Sequence, residues 1–365
     1  MVIVTLDRPH DLSLLLRSLG DQSRQADLVI VIDNGGMPET AAIVATHPGI
    51  RHFTCSRNLG GAGGFALGIL VALSEGVSHI WLMDDDGRPE GADCLAVLLS
   101  KGTHLDADVT SPVIVDINDG EVLAFPYAAG SLRTMRRRDL DGIGAIEHFA
   151  HLFNGALVRS EAFARYGLPD YRLFLRGDEI DFLHRVRRNG GLVVTIPEVA
   201  FRHPSGAPET FPILRGRLNA VVPQGALKQY YFFRNRGYLL RRHKLFSHGL
   251  SDILRYPWYF LVHKRGDWRG MGRWLSLMHQ GWREDFRPHE QPASRPSAKP
   301  RRRASPCHLR DDGRPSSGER IRRLAEAMAG AGTHGRRHPD PRPVSRLRRA
   351  GAPLPGAARS GRDHG

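Results

Sequence analysis

Short apolar runs that end on carboxylates dominate the first hundred residues. Val2-Ile3-Val4-Thr5 leads into Leu6-Asp7, Leu28 to Ile32 ends at Asp33-Asn34-Gly35-Gly36, and His79 to Met83 runs into Asp84-Asp85-Asp86-Gly87. Helical patterns lie between them, at Asp11 to Leu19, with Leu12, Leu15, Leu16 and Leu19 on one face, and at Gly63 to Ser74. A further short strand is expected near Phe53. Continuous apolar strands separated by helices specify a parallel sheet covered on both faces. In such sheets ligands bind beyond the carboxyl ends of the strands, where all three acidic runs fall. The expected class is α/β, a Rossmann-like, mostly parallel sheet flanked by helices.

The middle of the chain is more mixed. Strands are expected at residues 109–116, 122–125 and 153–158, and again at 192–196 and 199–201, ahead of Arg202-His203-Pro204. Asp178 to Arg188 reads as a helix with Ile180, Leu183 and Val186 inward. Residues 229–286 read as helices and concentrate aromatic and basic side chains, including four of the five tryptophans. Beyond Phe286 the chain is rich in Arg, Pro, Ala, Ser and Gly, apart from a short helical hint at Ile321 to Met328. That composition buries too little apolar surface to offset its ordering entropy, so disorder is expected. The resulting partition is a sheet domain at 1–225, aromatic and basic helices at 226–287, and a basic tail at 288–365.

The formal charge of +14 belongs to that tail. Residues 287–365 hold 19 Lys and Arg against 7 Asp and Glu, whereas the preceding 286 residues hold 33 against 31. A nucleic-acid partner therefore loses its main support, and none is expected. Three widely spaced cysteines, Cys55, Cys94 and Cys307, exclude a disulfide scaffold and suit a reducing cytoplasm. No apolar stretch is long enough to span a membrane.

Several groups point to chemistry. Asp84-Asp85-Asp86 at a strand end can hold a divalent cation and, through it, a diphosphate, against the plainer reading of a solvated acidic turn. Asp33 can accept from a base or a ribose hydroxyl, or can form an Asx turn. The run Arg57 to Phe65 can cradle an anion at a helix start or simply pack tightly; it is neither a dinucleotide fingerprint nor a P-loop. In Arg176-Gly177-Asp178-Glu179-Ile180-Asp181, Asp178 reads as the helix cap, Glu179 as a general base and Asp181 as a residue orienting an acceptor; the plainer reading is first-turn acids on a helix dipole. His203 becomes informative as a third ligand beside Asp84 and Asp86. The helices at 229–286 offer either core aromatics or an interfacial face for anionic lipid.

Taken in order, these motifs resemble the inverting family 2 glycosyltransferases of the GT-A fold. They are a first strand ending Thr-x-x-Arg-Pro, a second ending Val-Ile-Asp-Asn, then Asn-Leu-Gly-Gly-Ala-Gly-Gly-Phe, a triple Asp, an acidic helix start and a late His. Asn58 to Phe65, Trp81 to Gly87, Leu152 to Leu157, Leu173 to Glu179 and Arg234 to Tyr238 resemble the galactofuranosyltransferases that build the mycobacterial arabinogalactan, and the shorter, initiating type over roughly residues 1–287. The resemblance implies UDP-galactofuranose as donor and a polyprenyl-diphosphate-linked GlcNAc–rhamnose acceptor. It implies work at the inner face of the cell membrane by a cytoplasmic, peripherally bound enzyme.

By motif, Thr5, Arg8, Asp33, Asn58, Gly60, Gly61, Asp84, Asp85 and Asn154 would contact substrate. Asp84, Asp86 and His203 would hold Mg2+ or Mn2+. Glu179, with Asp178 and Asp181, would supply the base. Against this pattern, a few residues expected ahead of the first strand are missing, and the tail resembles out-of-frame reading of GC-rich sequence. The competing readings are another family 2 transferase such as a rhamnosyltransferase, a nucleotidyltransferase, and a basic-tailed binding protein. The nucleotidyltransferase needs a glycine-rich loop after strand one, which Thr5 to Pro9 is not.

Overall fold

Four short strands, β1 (Val2–Thr5) and β2 (Val29–Asp33), both rich in β-branched residues, with β3 (Ile50–Thr54) and β4 (His79–Asp84), pair in parallel in the order β3-β2-β1-β4. The crossovers are helices α1 (Pro9–Gly20), α2 (Pro38–Ala45) and α3 (Gly60–Ser74). Proline opens α1 and α2, where the missing N–H costs no helical bond. This half of the sheet matches expectation. The computed structural model describes residues 1–129, 132–205, 209–214 and 216–289. The basic tail lies outside them from residue 290 onward, together with its helical hint.

The second half departs from a parallel sheet. It comprises β5 (Arg88–Pro89), α4 (Cys94–Leu105), β6 (Val109–Asp116), β7 (Val122–Ala129), β8 (Leu132–Arg136), β9 (Ile146–Glu147), β10 (Asn154–Arg159), α5 (Ser160–Tyr166), α6 (Asp178–Arg188) and β11 (Val193–His203). Strand β10 runs antiparallel between β4 and β6, so the order continues β4-β10-β6-β11-β5 and the sheet is mixed. The two strands expected at 192–196 and 199–201 are one strand, whose register against β6 slips between Ile196 and Ala200. Pro197 lies in the slip, where a residue without an N–H is tolerated.

Alternation along the strands divides the core. Val2, Val4, Ile30 and Ile32 pack on one side with Phe65 and Ile69 of α3 and Phe182 of α6; Ile3 and Val31 pack on the other with Leu12 and Leu15 of α1 and Leu98 of α4. In α6 the buried residues are Phe182, Leu183 and Val186, while Ile180, expected inward, is exposed.

The hairpin β12 (Thr210–Ile213) and β13 (Leu218–Val221) precedes α7 (Ala226–Arg242), α8 (Phe246–Pro257), a π-helical turn at Trp258–His263, and α9 (Trp268–Trp282). These elements share an apolar cluster of their own, with Ile213, Phe233, Tyr256, Phe260, Trp274 and Leu277 buried in it. Among the described residues no helix is long and apolar enough to cross a membrane.

Candidate active site

The parallel register sets Val4 beside Asp84 and Thr5 beside Asp33, so the acidic strand ends gather at one edge. Within the triplet, Asp85 is the anchor. It is buried and accepts from Thr5 Oγ1 at 2.7 Å, from the Leu6 N–H at 3.3 Å and from Arg8 Nη1 at 2.9 Å. The same Arg8 nitrogen reaches Asp86 at 2.7 Å. Thr5, expected at the substrate, thus spends its buried hydroxyl on Asp85, while Arg8 stays partly exposed and bridges two of the carboxylates.

Burial, reinforced by the charges of Asp86, Asp85 and Asp178, holds the Asp84 carboxyl well above its ordinary range. Asp86 goes the other way. Burial opposes its ionisation, but a His203 ring that carries a proton on the nitrogen facing it, together with Arg8, brings it down to about 2.

His203 arrives by way of Gly87. A Cβ there would lie 2.3 Å from the Phe201 ring and 2.9 Å from the Arg202 carbonyl. The bare backbone lets β5 pair with the end of β11, Pro89 against Phe201 and Arg88 against Arg202. His203 Nε2 then lies 3.4 Å from Asp86 Oδ1, and Nδ1 lies 2.7 Å from the Pro204 carbonyl. When the ring is neutral and donates Nδ1–H to Pro204, its Nε2 lone pair faces Asp86 Oδ1, a buried oxygen with no hydrogen-bond partner. Two facing acceptors need a proton or a cation between them.

Among the described residues no three His, Cys, Asp or Glu side chains close a cage. Mg2+ and similar hard ions commonly take one or two protein ligands and complete their shell with substrate phosphate and water. The Asp86–His203 pair, with Asp84 beside it, fits that mode.

The acids of α6 part company. Gly177, at φ 96°, is the residue preceding the helix, so Asp178 is its first residue and not the expected cap. Asp178 is buried, and that burial, helped by the charges of Glu179 and Asp181, pushes it up to about 7 against the pull of nearby backbone N–H groups. Asp181 was expected to orient an acceptor. Its two oxygens instead take Arg185 Nε and His243 Nε2, each at 2.9 Å, and it is buried between them.

Glu179 is partly exposed, with Oε1 3.6 Å from His151 Nδ1. The His151 ring lies 4.5 Å from that of Phe125, which in turn lies 5.6 Å from His203. Glu179 and the Asp86–His203 pair therefore share one aromatic wall, with Asp178 coupled electrostatically to Asp84. Sequence reasoning missed His151 and Phe125. Their only signal was proximity, His151 adjoining the run Leu152–Leu157.

At the other end of the edge, Asp33 forms the Asx turn. Its Oδ1 accepts from the Gly35 and Gly36 N–H groups at 2.9 and 2.8 Å; its Oδ2 is buried without a donor, 3.4 Å from His52 Nε2. Much of the α3 start is used internally. The N–H groups of Leu59, Gly60 and Ala62 donate to Asn34, Asn58 and the Phe174 carbonyl. Gly64 and Gly68 serve packing, since a Cβ would fall 2.7 and 2.3 Å from Val4 and Val2. Asn58 is exposed, Gly61 faces open space, and Asn154 is buried at the start of β10 next to a bulge.

The segment before α6 is strained: Phe174, Arg176 and Gly177 all have positive φ. Asn235 holds it, its Nδ2 donating to the carbonyls of Leu173, Leu175 and Arg176 at 2.9, 3.0 and 2.6 Å. Arg234, fully buried, adds bonds to the Arg172 and Leu173 carbonyls.

Residues 1–167 match the glycosyl transferase family 2 profile. The chain is 40% identical over 291 residues to galactofuranosyltransferase GlfT1 of Mycobacterium tuberculosis, covering 78% of this chain and 95% of that one. It is 40% identical over 293 residues to the protein of that name from Mycolicibacterium smegmatis, covering 96% of it. Similar solved structures include GalNAc-T7 with UDP, GalNAc and Mn2+ (TM-score 0.47, 14% identity, 66% of this chain and 46% of that one) and Staphylococcus aureus TarS 1-349 in complex with UDP (TM-score 0.46, 13% identity, 78% and 87%).

Proposed function

This chain belongs to glycosyl transferase family 2, and from that premise we propose that it moves galactofuranose from UDP-galactofuranose to a polyprenyl-diphosphate-linked GlcNAc–rhamnose acceptor. The observation that carries the donor is the 40% identity across nearly the whole length of two GlfT1 proteins. The convergence of Glu179, His203 and Asp86 on the Phe125 wall supports the chemistry.

Glu179 is the base. It takes the proton of the acceptor hydroxyl as that oxygen attacks the anomeric carbon from the face opposite UDP. One carboxylate and no covalent intermediate give inversion, so an α-linked donor yields a β-galactofuranoside. Asp86 and His203, with Asp84 beside them, would hold Mg2+ or Mn2+, which when bound offsets charge on the departing diphosphate. Asp33 Oδ2, the oxygen that its turn leaves without a donor, would meet the uracil; Asn58 would meet the nucleotide. Thr5 and Arg8 keep Asp85 in place. The lipid acceptor sets the work at the inner face of the cell membrane.

The test is a donor panel. Purified protein with a synthetic rhamnosyl-glucosaminyl lipid and Mn2+ should consume UDP-galactofuranose and leave rhamnosyl and galactopyranosyl nucleotides untouched. Transfer from the rhamnosyl donor would move the assignment to a rhamnosyltransferase, and no transfer from any donor would overturn it.

A further inference from the structure

The apolar stripe of a surface helix ordinarily faces the core. In α8 it faces out. Asp252 and Tyr256 are buried, whereas Phe246, Leu250 and Ile253, spaced i, i+4, i+7, are 65, 66 and 63% exposed. Helix α9 repeats the arrangement, with Trp274, Leu277 and Gly281 buried and Trp268, Leu275 and Trp282, seven residues apart, exposed. The stripes meet across an apolar groove of about 600 Å3 whose lining includes Leu245, Phe246, Leu250, Ile253, Leu275 and Trp282.

These stripes are not a misplaced core. The inner faces are fixed by contact close to backbone. A Cβ on Gly281 would sit 1.7 Å from the Arg234 carbonyl oxygen, and one on Gly237 would sit 2.0 Å from that of Met278.

Charge identifies the occupant. Residues 241–283 hold nine Lys and Arg against two Asp. Eight of the nine cations are exposed, among them Lys264, Arg265 and Arg269. Asp252 is buried in an ion pair with Arg236, and Asp267 caps α9 at the Gly270 N–H. A second copy meeting this face by two-fold symmetry would set cation against cation. An anionic bilayer satisfies both features: aliphatic and indole side chains enter the headgroup–acyl boundary, and the cations lie over lipid phosphate.

We infer that the α8–α9 face is a monotopic docking surface for an anionic lipid bilayer, inserted through Phe246, Leu250, Ile253, Leu275 and the rim tryptophans. The inference rests on the lipid-acceptor reading for its purpose and locates where that reading meets the membrane.

The test uses the full chain and vesicles of equal parts phosphatidylcholine and phosphatidylglycerol, with phosphatidylcholine vesicles as control. The chain should sediment with the anionic vesicles and bromine-labelled lipid should quench its tryptophan fluorescence. The triple variant Phe246→Ser/Leu250→Ser/Ile253→Ser, which removes only exposed side chains, should weaken partitioning by at least about tenfold at unchanged melting temperature. Lys264→Ser/Arg265→Ser/Arg269→Ser should reduce the preference for anionic over neutral vesicles. Unchanged binding by the first variant, no binding by the parent chain, or self-association through this face that excludes vesicles would each overturn the inference. Transfer to a water-soluble rhamnosyl-glucosaminyl acceptor separates the two readings. If it persists in the triple variant, the transferase reading stands whatever the vesicles show. If it is absent while vesicles bind, the docking surface stands without that acceptor.

Discussion

Replacing Asn235 with alanine tests whether α7 sets the position of the acidic helix start. The amide Nδ2 serves three carbonyls of the strained segment, those of Leu173, Leu175 and Arg176, and its Oδ1 accepts from Arg234. In the variant Leu173 keeps its bond from Arg234, but Leu175 and Arg176 lose this donor. A fully buried acceptor left unpaired costs about 1–3 kcal/mol; both of these bonds are partly buried, so the two together cost about 2–4 kcal/mol, partly offset by relief of backbone strain. Guanidinium unfolding should show a lower midpoint at an unchanged slope. Glu179 follows this segment directly, so its displacement should cut kcat by about 10–100-fold with little change in KM for the donor. A loss below about 1 kcal/mol together with unaltered kcat would refute the reasoning.

Three further outcomes are expected. Glu179→Gln should lower transfer by at least about 100-fold while calorimetric UDP affinity stays within about twofold. Asp178, held up to about 7, is neutral when folded at acid pH and ionises more readily once unfolded, so its contribution to stability falls as pH rises toward about 7 and is flat above. Asp178→Asn in chelator-treated buffer should therefore gain stability over the parent between pH 5 and 8, by about 3 kcal/mol at about 1.4 kcal/mol per unit. Gly60→Ala places a Cβ 2.1 Å from the Phe174 carbonyl oxygen at φ +70° and should destabilise by about 3 kcal/mol or more, whereas Gly61→Ala, with nothing within 4 Å, should leave the melting temperature nearly unchanged.

Strands β1, β2 and β4 were readable because each is an apolar run stopped by a polar turn, and both signals are local; β3, which carries Arg51 and His52, showed only as a short strand near Phe53. The acidic triplet was readable for the same reason, since it follows a buried strand without interruption. Strand β10 was not readable as antiparallel. Its partners β4 and β6 are distant in sequence, and no local feature of Asn154–Arg159 encodes direction. The slip at Pro197 made one strand look like two. Ile180 fitted an inward helical position on periodicity alone, yet the first turn of α6 buries Asp178 and Asp181 and leaves Ile180 exposed.

Composition and spacing by themselves determined the α/β class, the edge at which the carboxylates gather and the family pattern of motifs, because covalent order and hydrophobic period suffice for each. Tertiary structure alone decided what each polar side chain does there. It assigned Thr5 and Arg8 to Asp85, Asp181 to Arg185 and His243, and His203 to Asp86, and it turned the α8 stripe outward. A side chain's role depends on the burial and partners that distant segments bring to it, and those exist only once the chain has folded.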